Sequence, residues 1–129
     1  MLNKTVLVVE DEMSLQDAIK IKLNKKGFDV LTARTIEEAE KQLNGDQEID
    51  VIWLDHYLIG PKNGLDFVIE LKISTKWQKI PIFVVSNTAS PDKVKGYLAL
   101  GVNKYYTKSD FKLDTIIEGI KNILDEKNI

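Results

Sequence analysis

Ile49–Asp55 reads IDVIWLD, and the order of residue types in this stretch decides the fold of the whole chain. Val51, Ile52, Trp53 and Leu54 form an apolar run too short for a helix and rich in β-branched and aromatic side chains, the pattern of a strand buried on both faces. The run stops at a carboxylate. HYLIGPKNG follows, with two glycines and a proline, so the chain leaves the sheet at Asp55. That places Asp55 on the carboxyl rim, where ligands bind in open parallel sheets. A lone strand-ending Asp also serves as a turn residue or helix cap, so its meaning depends on what else reaches the same rim.

Toward the N-terminus the pattern repeats. Thr5 to Val9 is a second apolar, β-branched run closed by Glu10, Asp11 and Glu12. From Ser14, Leu15, Ala18, Ile19 and Leu23 recur at helical spacing, and Lys25-Lys26-Gly27 supplies terminal cations and a glycine stop. Phe28 to Ala33 has the mixed polarity of an edge strand, and Thr35-Ile36-Glu37-Glu38 reads as a capping box opening a helix that ends near Gly45. Beyond the central strand, Leu65, Val68, Ile69 and Lys72-Ile73 mark a helix from near Gly64 that finishes before Pro81. Ile80 to Val85 is the next apolar strand, ending at Ser86-Asn87-Thr88. Ser90-Pro91-Asp92 reads as a cap with proline at the first helical position, and that helix runs to Gly101. Val102 to Thr107 is a shorter, more polar strand closing on Lys108-Ser109-Asp110. Leu113, Ile116, Ile117, Ile120, Ile123 and Leu124 then form one apolar helical stripe.

Alternating strands and helices predict right-handed crossovers and an α/β, flavodoxin-like three-layer sandwich: five parallel strands in order 2-1-3-4-5 with five helices. The length of 129 residues suits one domain, with 43% apolar and 29% charged residues and a formal net charge of -2. That balance gives no sign of direct nucleic-acid binding. With no cysteine and a single histidine, His56, thiolate chemistry is excluded and histidine-based metal or triad chemistry is disfavoured. The longest stretch without charge, Ile80 to Pro91, is too short to insert in a membrane, and MLNKTVLVVED lacks the features of a leader, so a cytoplasmic protein is expected.

In strand order 2-1-3-4-5 the first and third strands are neighbours, so Glu10, Asp11 and Asp55 converge. Like charges held close need a cation, and an all-oxygen set favours a hard divalent ion such as Mg²⁺. Lys108 ends the fifth strand with a stem long enough to reach the same rim, and Ser86 ends the fourth with a hydroxyl.

With these residues in this order at successive strand ends, the whole chain resembles a CheY-like receiver domain of two-component response regulators. The resemblance implies that Asp55 is the phosphoacceptor, that Glu10 and Asp11 hold Mg²⁺ with Asp55 and the Tyr57 backbone carbonyl, and that Lys108 and Ser86 contact the phosphoryl group. Ser86 and Tyr105 are similar to the switch pair. Tyr57 and Thr88 occupy positions that tune dephosphorylation, and a bulky Tyr57 implies slow loss of the phosphoryl group. The resemblance further implies a protein that catalyses its own phosphorylation and dephosphorylation without being an enzyme in the ordinary sense. Its partners are then a sensor histidine kinase or phosphotransfer protein and a downstream protein target, with the receiver a monomer or a phosphorylation-dependent dimer.

Residues 1–129 are expected to be a single receiver domain, stand-alone or one module of a longer protein. Two features depart from the family pattern. Ser109 follows Lys108 where proline after a cis bond is usual, so either a cis bond costing about 2.5 to 4 kcal/mol is retained or the loop differs. The loop after Asp55 is one residue longer, with Ile59 where proline is frequent. A phosphorylation-independent pseudo-receiver and a flavodoxin-like enzyme are the competing readings. Against the latter, the acidic, glycine-free EDEMS after the first strand repels phosphate rather than cradling it.

Overall fold

A computed structural model describes residues 3–58, 60–87 and 90–127. The elements are β1 (Thr5–Val9), α1 (Met13–Lys25), β2 (Asp29–Ala33), α2 (Ile36–Leu43), β3 (Val51–Leu54), α3 (Gly64–Ile73), β4 (Ile82–Ser86), α4 (Pro91–Ala99), β5 (Lys104–Thr107) and α5 (Leu113–Lys127). The five strands are parallel in the order β2-β1-β3-β4-β5. The expected fold is therefore the observed one. β1, β3 and β4 are buried at every position, whereas β2 and β5, the edges, are mixed.

Side chains alternate along a strand, and that alternation sorts the core into two layers. Leu7, Val9, Ile52, Leu54, Ile82 and Val84 pack with Ile36 and Ala39 of α2, Phe67, Val68 and Leu71 of α3 and Tyr97 of α4. Val6, Val8, Val51, Trp53, Phe83, Val85 and Tyr106 pack on the other face with Ile19 and Leu23 of α1 and Ile116, Ile117 and Ile120 of α5. The α5 stripe read from the sequence is the face that packs there.

Two helices end in the same device. At α1, the Gly27 amide donates to the Asn24 carbonyl and the Phe28 amide to Leu23, with Gly27 at φ +93°. At α4, Gly101 (φ +91°) donates to Leu98 and Val102 to Tyr97. This pairing uses the helix's orphan carbonyls and needs a left-handed residue, which glycine adopts without a Cβ clash.

Some boundaries and caps differ from the sequence reading. β4 begins at Ile82 because Pro81 has no amide, although the Pro81 carbonyl accepts from Ile52. Ser90 occupies the N-cap of α4, but its side chain caps no amide. Thr35 does cap α2, accepting from the Glu38 amide at 3.1 Å, while the Glu38 carboxylate reaches the Arg34 amide instead of closing the box on Thr35. The reciprocal capping box is at α3, where Asn63 and Asp66 each accept from the other's amide at 3.0 Å; such a cap contributes about 1 kcal/mol. No peptide bond among the described residues is cis, so Lys108-Ser109 is trans and the loop avoids that cost.

Across α2 and α3, Lys62 Nζ lies 3.3 Å from Glu40 and 3.2 Å from Glu70. The neighbouring Glu70 carboxyl, helped by burial, raises the Glu40 pKa, against the pull of Lys62. A raised folded-state carboxyl contributes its stability fully below the unfolded value and loses it as pH rises through the folded one. Glu40→Gln is therefore expected to match the parent protein near pH 4 and to be slightly more stable at pH 7, by at most about 0.5 kcal/mol after solvent screening. Thermal unfolding at the two pH values checks this, and a variant less stable at pH 7 would show that the Lys62 pairing outweighs the repulsion.

Candidate functional site

The alternation that sorts the core also sorts the chemistry on the carboxyl rim. Glu10 continues the register of Val6 and Val8, Asp55 that of Val51 and Trp53, and Lys108 that of Tyr106, so all three fall toward the α1/α5 layer. Ser86 continues Ile82 and Val84, and His56 continues Ile52 and Leu54, toward the α2–α4 layer. The backbone binds the rim together. Asp55 N donates to Val9 O at 3.0 Å, and Lys108 N donates to Ser86 O at 2.9 Å.

Glu10, Asp11 and Asp55 offer carboxylate oxygens that all lie within 4.8 Å of one another. Glu10 and Asp55 are buried, at 1% and 4% exposure, and Asp11 is half-buried. Lys108 Nζ sits between the two buried acids, 2.6 Å from Glu10 and 3.3 Å from Asp55. Burial pushes the Glu10 carboxyl up, with the Lys108 contact opposing it. Burial works to lower the Lys108 pKa, but its bond to Glu10 and the Asp55 charge more than offset this, so it is raised and the ammonium persists. One lysine therefore faces a cluster of acids, most of it out of water. An all-oxygen donor set in that condition fits a hard divalent cation, so the residues present suit Mg²⁺.

Second contacts hold these groups in place. The Glu12 amide donates to Glu10 Oε2 at 3.1 Å, and the Tyr57 amide lies 3.4 Å from Asp55 Oδ1. Gln16, buried at the start of α1, donates to the carbonyls of Glu10 (2.9 Å) and Ala33 (3.2 Å). Arg34 donates twice to the Asp11 carbonyl, at 3.2 and 3.1 Å. The acidic loop is thus clamped by its carbonyls, leaving the carboxylates available. A cleft of about 310 Å³ bounded by Asp11, His56, Tyr57 and Asn63 opens beside them.

On the other side of the rim, Ser86 is fully buried and its hydroxyl lacks a hydrogen bond of ordinary geometry. Burial raises the Tyr105 phenol, and the nearby Ser86 hydroxyl moderates the rise. Tyr105 is half-buried and packs on Tyr97, with ring centroids 5.8 Å apart. Tyr57 is 52% exposed, and its hydroxyl accepts from Lys93 Nζ at 2.8 Å. The fold thus brings Glu10, Asp11, Asp55 and Lys108 into one cluster and sets Ser86 and Tyr105 behind it. Thr88, expected to tune dephosphorylation, and Ile59 lie outside the described residues.

Four residues at the site were not singled out for it by sequence reading. Gln16 and Arg34 act on backbone carbonyls, which no residue pattern announces. In the sequence His56 stands out only as a possible metal or triad residue, and Tyr97 is one aromatic within a helix. In the structure His56 Nδ1 and the Tyr97 hydroxyl are hydrogen-bonded at 2.5 Å, both side chains being buried.

Known proteins resemble this arrangement. The family model described as response regulator receiver domain matches residues 6–121. The phosphate regulon transcriptional regulatory protein PhoB of Pseudomonas aeruginosa is 30% identical over 125 residues, covering 96% of this chain and 53% of PhoB. Chemotaxis protein CheY1 of Helicobacter pylori is 31% identical over 104 residues, covering 80% of this chain and 83% of CheY1. The chain thus spans about half the length of PhoB and most of CheY1. The crystal structure of the phosphorylated cyanobacterial phytochrome response regulator RcpA superposes with a TM-score of 0.79 at 28% identity, covering 95% of this chain and 91% of RcpA. No helix among the described residues is long and apolar enough to cross a membrane.

Proposed function

The chain belongs to the response regulator receiver domain family, and from that premise we propose that residues 1–129 form one receiver domain whose Asp55 accepts a phosphoryl group from a sensor histidine kinase or phosphotransfer protein. The observation that carries this reading is the Lys108 ammonium shared between buried Glu10 and Asp55, with Asp11 beside them. Family membership alone does not require that arrangement. A receiver that had lost its chemistry would have no reason to keep such a costly cluster buried.

In the transfer, an Asp55 carboxylate oxygen gives an electron pair to phosphorus as the bond from phosphorus to the donor nitrogen breaks. That bond's electrons leave with the donor imidazole, and an acyl phosphate remains on Asp55. Glu10, Asp11, Asp55 and the Tyr57 carbonyl are the groups that would hold Mg²⁺. Bound there, Mg²⁺ supplies neutralisation of charge on the phosphoryl oxygens, which is most of what such a transfer needs. Lys108 turns from its two carboxylate partners to a phosphoryl oxygen, and the Ser86 hydroxyl, short of a good partner, gains one. Attack of water on phosphorus later regenerates Asp55, so the domain promotes both its charging and its discharge.

The output is a changed protein-binding face. Movement of Ser86 toward the phosphoryl group alters the packing of Tyr105 on β5, and with it the surface of α4, β5 and α5, where a downstream protein or a second copy of the chain binds. A cytoplasmic site of action, where kinase and target meet, belongs to the same reading.

Intact mass after incubation with Mg²⁺ and acetyl phosphate tests the proposal. A gain of one phosphoryl group that chelation of Mg²⁺ abolishes is the expected result. No gain, together with no Mg²⁺ binding by direct titration, would reject it in favour of a pseudo-receiver.

Tyr57 bears on how long the product lasts. Its ring, tied to α4 through Lys93, lines the cleft bounded by Asp11 and His56, the neighbours of Asp55 on the rim. Tyr57→Asn is expected to speed loss of the phosphoryl group severalfold by admitting water. Decay followed by mass after donor removal checks this, and an unchanged lifetime would show that the ring does not screen the acyl phosphate.

A further inference from the structure

Tyr97 sits on α4 yet belongs to the loop that follows the nucleophile. Its side chain is fully buried, and its hydroxyl meets His56 Nδ1 at 2.5 Å, across 41 residues of sequence. The space it occupies exists because residue 64 has no side chain. A Cβ there would run into the Tyr97 hydroxyl and lie 3.1 Å from both the Asp55 carbonyl oxygen and the His56 Cα. The Gly64 amide in turn donates to the His56 carbonyl at 3.1 Å. The residue after Asp55 is therefore held through its carbonyl by the start of α3 and through its ring by α4. The Tyr97 ring meets the His56 ring edge to face at 5.7 Å and the Tyr105 ring at 5.8 Å.

We propose that Tyr97 is a positioning residue for the phosphoacceptor: its bond to His56, in the slot left by Gly64, fixes the backbone at Asp55 and Tyr57 and ties that backbone to Tyr105. This inference rests on the receiver reading above, and it adds a link from the rim to α4 that does not pass through Ser86. Burial keeps the Tyr97 phenol protonated, so its hydroxyl is a neutral partner for the His56 ring nitrogen. Tyr97 touches no reacting group itself. It acts by keeping the Asp55 carboxylate where the phosphoryl group and the cation need it, and small displacements of a reacting group are costly in rate.

The test compares Tyr97→Phe, which removes only the hydroxyl, with His56→Leu and His56→Asn. Asn places an amide near the position of Nδ1 and should rescue the bond. Two quantities are read: the initial rate of phosphoryl gain from acetyl phosphate, and the rise in Tm produced by saturating Mg²⁺ without any phosphodonor. Tyr97→Phe and His56→Leu are expected to slow uptake about three- to tenfold, the range a single hydrogen bond commands, and to reduce the Mg²⁺-induced rise in Tm. His56→Asn should stay near the parent in both, and the double variant Tyr97→Phe/His56→Leu should be no worse than either alone.

A bond serving the fold only would lower the metal-free Tm and leave the uptake rate and the Mg²⁺ increment unchanged, which overturns the proposal. So does a His56→Asn protein that behaves like His56→Leu. Should Tyr97→Phe fail to fold, the two His56 variants decide. If the parent protein takes up no phosphoryl group and binds no Mg²⁺, the receiver reading fails; if it takes up none yet binds Mg²⁺, the Mg²⁺ increment alone decides the positioning role.

Discussion

Asp55→Asn is expected to take up phosphoryl groups at least about a thousandfold more slowly than the parent protein, the scale of loss when a nucleophile is removed. An amide oxygen has neither the charge nor the basicity to displace a donor from phosphorus, and nothing else in the cluster is placed to replace it. Glu10 is buried and engaged by Lys108 and the Glu12 amide. Asp11 is only half-buried, and Lys108 pairs with Glu10 and Asp55 rather than with it. The fold should not suffer, because the substitution removes one of the mutually repelling carboxylates while Lys108 keeps Glu10. Intact mass with Mg²⁺ and acetyl phosphate gives the rate, and thermal unfolding confirms the fold. Uptake at the parent rate would move the nucleophile to another residue.

Lys108→Met should have the second large effect, and in two opposing directions. Without the ammonium, Glu10 and Asp55 are left as buried carboxylates facing each other, and removing one partner of a buried ion pair costs about 3–5 kcal/mol. For a domain of this size that is a fall of about 10 °C or more in metal-free Tm. Mg²⁺ should bind more tightly than to the parent, since Lys108 competes for the same oxygens, and should restore much of the lost stability. Phosphoryl uptake should nevertheless fall, because the cation that turns to the phosphoryl group is gone. Calorimetric titration with Mg²⁺, unfolding with and without the ion, and intact mass separate these effects. A metal-free Tm equal to the parent's would show that Lys108 does not hold the cluster together.

The sheet and the acid–lysine cluster could be read from the sequence for the same reason. β1, β3 and β4 are short β-branched runs that stop at Glu10, Asp55 and Ser86, so strand type and strand end were written in adjacent residues. Parallel connection then brought those ends to one rim. The Asn63-to-Asp66 capping box was also written there and went unread, since the glycine beside it drew the helix start instead. Other features had no local signature. The Lys108-Ser109 bond could be cis or trans until the loop around it was seen. The bond between Tyr97 and His56 depends on a side chain on one helix, a ring in a loop and an empty space at a third element, and no periodicity relates the three. Gln16 and Arg34 recognise carbonyls, which every residue carries, so their roles arise only once the chain is folded.

The sheet is one peptide thick, and what stands on either side of it is chemically unlike. The buried acid–lysine cluster lies toward α1 and α5; Ser86, His56, Tyr97 and Tyr105 lie toward α2, α3 and α4. Side chains such as Ile120 and Phe67 belong to separate layers and meet only through strand backbone. Away from the rim, free-energy changes made on opposite sides should therefore sum rather than couple, whereas at the rim His56 and Ser86 join the two sides through the backbone. Sequence drift in the helix-facing layers below the rim can be absorbed on one side without retuning the other, whereas at the rim a change on either side must keep Asp55 in place.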